Sequence, residues 1–379
     1  MRTRGSPSVD SMPSLRVEGR VSTAQVDKAL VDASAHLLSP GTVLIDLAAS
    51  TAFDVVALQQ LLSAIAARRS QGVETMIRLP VDAAARHVLR LWRFPHAVGS
   101  VARVPFRVLV APEDHEFFGE ETPTTPLVRD TASPRSSALA YLTAQQRFGL
   151  RPYRLDGELA RLQMLEGETS CWGGFALTRL LQSTLMGPAS EVIRVLVQEL
   201  LSGPLQRRSG KVAITGAQLE LPAGGSQTGT LTLAVWDDSE SLITDLSKRE
   251  RTAGGVRADE FALHADGWSP GQRLDLADWQ PWLDSGDPEV LLAGLISSTP
   301  RDRCAKGYAE GSHGMYALYN CAVDVFGGSL RIESRQTRLE ISAAPDSDTA
   351  RYRVDVTTGP QLPHQRGNLL AVRLPVCDD

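Results

Sequence analysis

The stretch Thr228–Asp238, TGTLTLAVWDD, decides the fold of the C-terminal half of this 379-residue chain. Its two leucines and Val235 alternate with polar or smaller residues, which is the period of a β-strand with one apolar face. Asp237 shares their parity and Asp238 has the opposite parity. We therefore expect a strand whose last inward-facing residue, Asp237, either accepts a hydrogen bond from a buried ligand or caps a turn.

Further strands and helices surround this segment in the sequence. Lys211–Leu221 is a second expected strand, and a turn rich in proline and glycine separates it from Thr228–Asp238. The two segments together predict a β-hairpin. Apolar periodicity predicts three more helical stretches and four more strands. The helices are Ser136–Arg147, Leu155–Met186 and His313–Phe326, and the strands are Ser329–Ser334, Arg338–Ser342, Arg351–Val356 and Asn368–Pro375.

A fourth helix, Ala189–Gln206, carries an acidic residue on its apolar side. The helix begins just after a proline, which suits a helix start. Glu199 lies four residues after Val195 and three after Leu196, so it shares their stripe. A carboxylate that faces a core costs free energy unless it is paired or functional. Glu199 therefore pairs with a buried arginine or acts in a site.

The segment Gly311–Gly328, GSHGMYALYNCAVDVFGG, places two glycines just before a helix. Exposed backbone N–H groups and the positive end of a helix dipole can hold phosphate there. A glycine-rich helix start is a weak signal by itself, because many helices begin in this way. The segment becomes informative only together with the helix and the strand that precede it.

In this order the three segments resemble the GHKL ATPase superfamily, named for gyrase, heat-shock chaperones, histidine kinases and mismatch-repair proteins. The resemblance covers about residues 189–376. The family's helix carries a Glu followed four residues later by a magnesium-binding Asn; here Glu199 is kept and Gly203 replaces the Asn. The family's Asp-x-Gly-x-Gly turn bonds adenine through its Asp; here Asp237 is kept, and Ser239 and Ser241 replace the glycines.

The resemblance implies ATP as the cofactor, with or without Mg²⁺. It places adenine at Asp237 and a residual base or structural carboxylate at Glu199, with a long lid over about residues 238–310. The second glycine motif of the family implies phosphate contacts at Gly311, Ser312, His313, Gly314 and Met315. The changes at Gly203, Ser239 and Ser241 remove a magnesium ligand and close backbone packing on adenine, which favours binding over hydrolysis.

The N-terminal part alternates strand and helix signals. Expected strands are Leu15–Val21, Thr42–Leu47, Val73–Leu79 and Phe106–Val110, and expected helices are Thr23–Leu37, Asp54–Arg69 and Asp82–Trp92. We expect Asp54–Arg69 to be amphipathic, with one apolar stripe.

The segment Val43–Gly72 resembles the sulfate-transporter and anti-sigma-antagonist (STAS) domain, over about residues 15–110. Domains of this family bind proteins in bacterial regulation, and some carry a phosphorylatable Ser after the Asp at the helix start. Here Val55 and Val56 follow Asp54, so the phospho-acceptor is missing. The resemblance therefore implies a protein partner without the phosphorylation switch.

These patterns predict a chain of α/β and α+β class. We expect a disordered tail over 1–14, a small STAS-like domain of sheet and helices over 15–112, and a linker over 113–135. Residues 136–379 would form a GHKL-like α/β sandwich, in which a mixed sheet carries helices on one face.

Composition is that of an ordinary globular protein, with 42% hydrophobic and 22% charged residues. The cysteines have neither metal-ligand nor disulfide-scaffold spacing, which favours reduced thiols in a cytoplasmic protein. No apolar run is long enough to predict a membrane span. The isoelectric point of about 5.9 argues against a general nucleic-acid binder. Residues 1–112 carry 13 basic and 8 acidic side chains, whereas the remaining residues carry 26 basic and 36 acidic side chains.

Three functions remain open from the sequence. The first is a bacterial-type regulatory protein that binds nucleotide in its C-terminal half and a protein partner through its N-terminal domain. The second is an interaction scaffold whose ATPase-like fold no longer binds nucleotide. The third is an active ATPase or protein kinase with an unusual magnesium site. The resemblance also implies a homodimer, although no long coiled-coil heptad supports one.

Overall fold

The computed structural model describes most of the chain. The described residues are 12–37, 40–118, 149–172, 189–206, 209–220, 228–243, 261–265, 272–273, 314–344, 351–358 and 366–377. Most of the expected tail, linker and lid, and the helix expected at 136–147, therefore lie outside the described residues.

Residues 12–118, here called the N-terminal unit, alternate strands and helices. The strands are β1 (Ser14–Arg16), β2 (Gly19–Val21), β3 (Val43–Asp46), β4 (Ser50–Phe53) and β5 (Thr75–Arg78). The helices are α1 (Thr23–Asp32), α2 (Ser34–Leu37), α3 (Val55–Ser70), α4 (Ala83–Leu91), α5 (Phe94–Ala102) and α6 (Phe106–Leu109), followed by a 3₁₀ segment at Pro112–Phe118. Strands β1, β3 and β5 form a parallel sheet in the order β1-β3-β5, and β2 pairs with β4.

The rest of the chain builds one large sheet and the helices that cover it. Its strands are β6 (Gly149–Arg154), β7 (Val212–Glu220), β8 (Thr228–Asp237), β9 (Phe261–Ala265), β10 (Gln272–Arg273), β11 (Ser329–Ser334), β12 (Thr337–Ala343), β13 (Tyr352–Thr358) and β14 (Asn368–Cys377). Its helices are α7 (Glu158–Trp172), α8 (Ala189–Gln206) and α9 (Gly314–Tyr319), which continues as a π-helical turn at Asn320–Val325.

The nine strands lie in the order β10-β9-β13-β12-β11-β14-β8-β7-β6. Every pair is antiparallel except β13 with β9, which is parallel, so the sheet is mixed. Helices α7, α8 and α9 share a core with one face of this sheet, called here the helical side. The α/β and α+β class expected from the sequence is confirmed.

Three local expectations differ from the structure. The strand expected at Leu15–Val21 is interrupted, because Gly19 adopts a left-handed φ of 66° and divides it into β1 and β2. The strand expected at Phe106–Val110 is wrong. Pro105 precedes a helical turn over Phe106–Leu109, and only Val110 bridges to β5. Sequence periodicity also missed β4, β6 and α5, and it missed β9 and β10 within the segment expected to form a lid.

The opposite face of the large sheet is covered by the N-terminal unit. One buried core joins residues of α3 and α5 with residues of β7, β8 and β14. Helix α3 lies against this face, and it is buried around nearly its whole circumference. The expected apolar stripe of α3 is buried, but the polar side of the helix is buried as well, because it docks on the sheet.

Polar side chains make hydrogen bonds between α3 and the large sheet. Gln59 donates through Nε2 to the Ile214 carbonyl oxygen at 2.8 Å, and Ser63 donates to the Arg366 carbonyl oxygen at 3.0 Å. The Gln218 side chain accepts from the backbone N–H of Val55 at 2.8 Å. Each of these three bonds spares a buried polar group a cost of about 1–3 kcal/mol, whereas the Oε1 atoms of Gln59 and Gln60 are buried without a hydrogen-bond partner.

A buried ionic network strengthens the same contact. Glu333 of β11 accepts hydrogen bonds from Arg331 at 2.6 Å and from Arg338 at 2.8 Å. Arg338 also bonds Asp27 of α1 at 2.8 Å, and Gln60 of α3 donates to both acids. Burial is the main cause that raises the pKa of Asp27, and it acts against the neighbouring arginines. The network links both parts of the chain.

Two further observations concern membrane-spanning helices and thiols. In the part of the chain that the structure describes, no helix is long and apolar enough to cross a membrane. Cys171 and Cys321 are free thiols, as expected.

The close approach of α3 to the sheet gives a first prediction. A Cβ added at Gly216 would lie 2.5 Å from Val55 Cγ2 and 3.1 Å from Gln59 Nε2. Since valine is stiff and buried here, we expect Gly216→Ala to lower the free energy of unfolding by about 1–3 kcal/mol. Gly41→Ala is the control, because a Cβ there meets no atom within 4 Å. Urea unfolding of both variants measures the difference, and equal stability would contradict the docking of α3.

Candidate functional site

A row of buried polar residues crosses one end of the large sheet on its helical side. Asp237 of β8 pairs with Asn368 of β14, which pairs with Ser334 of β11, which pairs with Thr337 of β12. We call these four residues the polar row. Asp237, Asn368 and Ser334 are 0% exposed. Polar groups so deeply buried are normally hydrogen-bonded, and this row is held by a loop.

The loop Asp238–Ile243 closes over the polar row. Ser239 donates to Asp237 Oδ1 through both its hydroxyl and its backbone N–H, the latter at 3.0 Å. Ser241 and Ser334 hydroxyl groups lie 2.9 Å apart in a hydrogen bond. The two serines that replace the glycines of the family motif are therefore used to fix this loop on the sheet.

Asn368 organises the loop. Its amide nitrogen donates to the Glu240 carbonyl oxygen at 3.0 Å and to Ser239 Oγ at 3.2 Å. Its amide oxygen accepts from the Leu242 N–H at 2.5 Å and from the Ser334 hydroxyl at 2.8 Å. A longer contact of 3.5 Å joins its nitrogen to Asp237 Oδ1. Asn368 thus connects three strands and the loop through one side chain.

The two consecutive aspartates face opposite sides of the sheet, as their parity predicts. Asp237 belongs to the helical side with Val235, whereas Asp238 lines a cavity shared with the N-terminal unit. Asp238 Oδ1 accepts from the backbone N–H groups of Lys211 at 2.7 Å and Val212 at 2.9 Å. The C-terminal end of β8 therefore places one carboxylate on each side of the sheet.

Glu199 faces the core from α8, as the apolar stripe predicts. It is 3% exposed, and its negative charge reaches Cys321 in the π-helical turn. Burial, and then the charges of Glu199 and Asp324, raise the pKa of the Cys321 thiol to about 11. The carboxylate therefore lies near the segment that follows α9.

The structure describes only some of the other residues that the sequence predicts for the site. Gly203 lies in the last turns of α8, where glycine offers no side-chain ligand to a metal. Gly314 and Met315 begin α9, which packs against α8. Gly311, Ser312 and His313 lie outside the described residues. The structure brings Asp237, Ser239 and Ser241 together around Asn368.

Sequence reasoning missed Asn368, Ser334 and Thr337. Each lies within or beside an expected strand, and only the strand order reveals that they adjoin Asp237. The single available signal is that Asn368 starts a strand with the inward parity of Leu370, which marks it as a buried amide.

A second buried carboxylate on the helical side has a structural role. Glu168 of α7 binds Arg151 through two hydrogen bonds of 2.7 and 2.6 Å. It also accepts from Tyr153 at 2.5 Å and from Thr215 at 2.8 Å. Its oxygens are thus well supplied with donors, so this cluster anchors α7 on β6 and β7.

No protein-family model, curated protein or solved structure matches the chain.

The hub role of Asn368 gives a second prediction. Asn368→Ala removes the acceptor for the Leu242 N–H and the Ser334 hydroxyl, so we expect a loss of about 3 kcal/mol in the free energy of unfolding. Hydrogen exchange at the Leu242 amide should also become faster. Ser342→Ala, which removes a half-buried hydroxyl from the same sheet, should change neither quantity. A stable variant with a protected Leu242 amide would contradict the assignment.

The effect of the Glu199 charge on the Cys321 thiol gives a third prediction. In a background in which the other cysteines are serine, Glu199→Gln removes a negative charge near the thiol and so lowers the pKa of Cys321. At any pH from 8 to 10, the thiolate fraction and the rate of reaction with a small alkylating reagent should rise. The exposed Glu166 gives the control Glu166→Gln, which should leave the rate unchanged. If Glu199→Gln left the alkylation rate unaltered, the Glu199 carboxylate would not lie near the Cys321 thiol.

Proposed function

We propose that the helical side of the large sheet binds ATP or a related nucleotide, and that the protein is a bacterial-type regulator. The observation that carries this proposal is the burial of Asp237 at the end of β8, on the side covered by the helix that presents Glu199. Two buried acids between the helices and the sheet support the proposal, because the resemblance to GHKL ATPases implies acids at these two positions of the sequence. Their burial was expected from parity alone, independently of that resemblance.

Asp237 supports adenine recognition through its hydrogen-bonding capacity. A carboxylate offers about four lone-pair sites on two oxygens. The bonds from Ser239 and Asn368 reach Oδ1 and orient the carboxylate, and in this proposal the amino group of adenine donates to the same carboxylate. In this proposal Ser239 and Asn368 hold the carboxylate in position for the base.

Glu199 and the start of α9 support the phosphate end of the site. Gly314 and Met315 form the first turn of α9, next to α8, and N–H groups of such a turn suit phosphate oxygens. Gly203 supplies no magnesium ligand, so binding without rapid hydrolysis is the expected behaviour. Glu199 then serves as a residual base or as a structural carboxylate.

The contact between the site and the N-terminal unit supports a regulatory role. The carbonyl oxygen of Arg366 accepts from Ser63 of α3 and from the Trp236 indole at 3.0 Å. Two residues later, Asn368 holds the loop over the polar row. A nucleotide that moves this loop would therefore act on the segment that contacts the STAS-like unit, through which a protein partner would bind.

One observation favours a different function, an interaction scaffold without nucleotide. The hydroxyl and the N–H of Ser239 already satisfy Asp237 Oδ1, as in a turn capped by an aspartate side chain. In that case the polar row only fastens the loop to the sheet. Titration with nucleotide separates the two functions.

Calorimetric titration with ATP, with and without Mg²⁺, provides the fourth prediction. We expect binding in both conditions and no turnover. Asp237→Asn should weaken binding by about 1–3 kcal/mol, because a charged acceptor for adenine is lost. Asp32→Asn is the matched control, since exposed Asp32 lies in α1 of the N-terminal unit, and it should leave ATP affinity unchanged.

The other outcomes are equally distinct. Absence of binding in both conditions would support the scaffold, and hydrolysis that requires Mg²⁺ would support an active ATPase or kinase. Binding that Asp237→Asn leaves unchanged would remove Asp237 from the site.

A further inference from the structure

A cavity lies where the N-terminal unit meets the large sheet, on the side opposite the polar row. Its volume is about 250 Å³. The N-terminal unit and the rest of the chain both contribute to its wall, so we call it the junction cavity. The lining residues from α3 and α5 are Ala66, Arg69, Ser70, Val101 and Arg103, and those from the remainder are Ser209, Lys211, Val212, Trp236, Asp238 and Arg366.

The charged groups that line the cavity are mostly positive. Arg69, Arg103, Lys211 and Arg366 face a single carboxylate, Asp238. Oδ1 of that carboxylate already accepts from two backbone N–H groups. The wall therefore carries a formal excess of three positive charges around a space that a small molecule can enter.

These cations are not neutralised within the described part of the chain. The ion pairs found there involve none of the four side chains. Arg69 donates only to the Val101 carbonyl oxygen, at 3.1 Å. Burial, and then the positive charge of Arg103, lower the pKa of Arg69; Asp238 raises it, and Arg366 lowers it. Arg103 and Arg366 thus repel Arg69, whereas Asp238 attracts it.

We propose that the junction cavity binds a small molecule with a phosphate or diphosphate group, held by Arg103, Lys211 and Arg366. Guanidinium groups match phosphate oxygens through paired hydrogen bonds, and an ammonium group adds a point charge. The excess of positive charge suits a group with two or three negative charges. A water molecule takes roughly 30 Å³, so the cavity volume has room for more than a single phosphate. A diphosphate fills the cavity better.

The apolar part of the wall suits the organic portion of such a molecule. Ala66, Val101 and Val212 line the cavity together with Trp236. Because one half of the wall comes from α3 and the end of α5, and the other from the ends of β7 and β8 and the segment before β14, the ligand would offset the repulsion between cations of the two parts. Binding therefore stabilises the contact between the N-terminal unit and the sheet.

This proposal is separate from nucleotide binding at Asp237, because the two sites lie on opposite sides of β8. Its test uses the full chain and inorganic pyrophosphate as the probe, with phosphate, sulfate and citrate as comparison anions at constant ionic strength. Calorimetry gives the affinity, and thermal unfolding without anion gives the stability. The variants are Arg103→Gln and Arg366→Gln, and Arg107→Gln is the control because exposed Arg107 does not line the cavity.

We expect pyrophosphate to bind and to raise the melting temperature of the wild-type chain. Arg103→Gln and Arg366→Gln should each weaken binding about tenfold or more, and Arg107→Gln should leave it unchanged. Without anion, the two cavity variants should melt no lower than wild type, because a repulsive charge is removed. Weaker binding without a lower melting temperature indicates that the two arginines serve a ligand. If they served the fold instead, their replacement would lower the melting temperature.

Several outcomes overturn the proposal. These are no binding of pyrophosphate or phosphate at millimolar concentration, an equal loss of affinity in Arg107→Gln, and tighter binding of citrate or sulfate than of pyrophosphate. Asp238→Asn removes the one negative charge of the wall and should strengthen pyrophosphate binding, so a weaker affinity would also contradict it. Asp237→Asn should leave pyrophosphate affinity unchanged, whatever it does to ATP.

Discussion

The docking of α3 on the nine-stranded sheet determines the arrangement of the whole molecule. A helix between two sheets must bury every side, and α3 carries glutamines and a serine on the side that meets the large sheet. Each of these would cost about 1–3 kcal/mol if it were buried without a partner. Gln59 and Ser63 instead donate to carbonyl oxygens of the sheet and of the segment before β14. Polar groups therefore fix the position at which the helix docks, while apolar burial supplies the driving force.

The same docking explains the composition of the central strands. Leu231, Leu233 and Val235 of β8 pack beneath the helices, whereas Ala234 and Trp236 pack against the N-terminal unit. A strand that is buried on both faces is apolar at nearly every position. Close approach of α3 requires small residues beneath it, and Gly216 fulfils that requirement on β7. Several buried polar residues of these strands lie at their ends, where the polar row is found, and others such as Thr215 and Arg331 lie inside the strands and are hydrogen-bonded.

Much of this arrangement follows from local patterns. Alternation located most strands, and helical spacing located Glu199 in a core, because burial of one face leaves a period in the sequence. The burial of Gln59 and Ser63 could not be predicted, since polar residues on a helix have the same spacing whether they meet water or a sheet. Nor could Asn368 be found, because it meets its partner Asp237 across 131 positions of the chain. At Phe106–Val110 the β-branched and aromatic residues favoured a strand, and Pro105 with the tertiary context produced a helical turn instead.

The two proposed sites share one short piece of backbone. Asp237 and Asp238 are neighbours, about 3.8 Å apart at their Cα atoms, yet each belongs to a different side of the sheet. Gly367 lies so close to them that a Cβ there would meet the Asp237 carbonyl oxygen at 1.8 Å. Arg366 lines the junction cavity and Asn368 holds the loop over the polar row. A ligand in the junction cavity that shifts residues 366–368 must therefore also shift the loop over the polar row. A nucleotide at the polar row that shifts the same residues must likewise move Arg366 in the cavity. Coupling of this kind is reciprocal in free energy, so an anion in the cavity would alter nucleotide affinity by the same factor as nucleotide alters anion affinity.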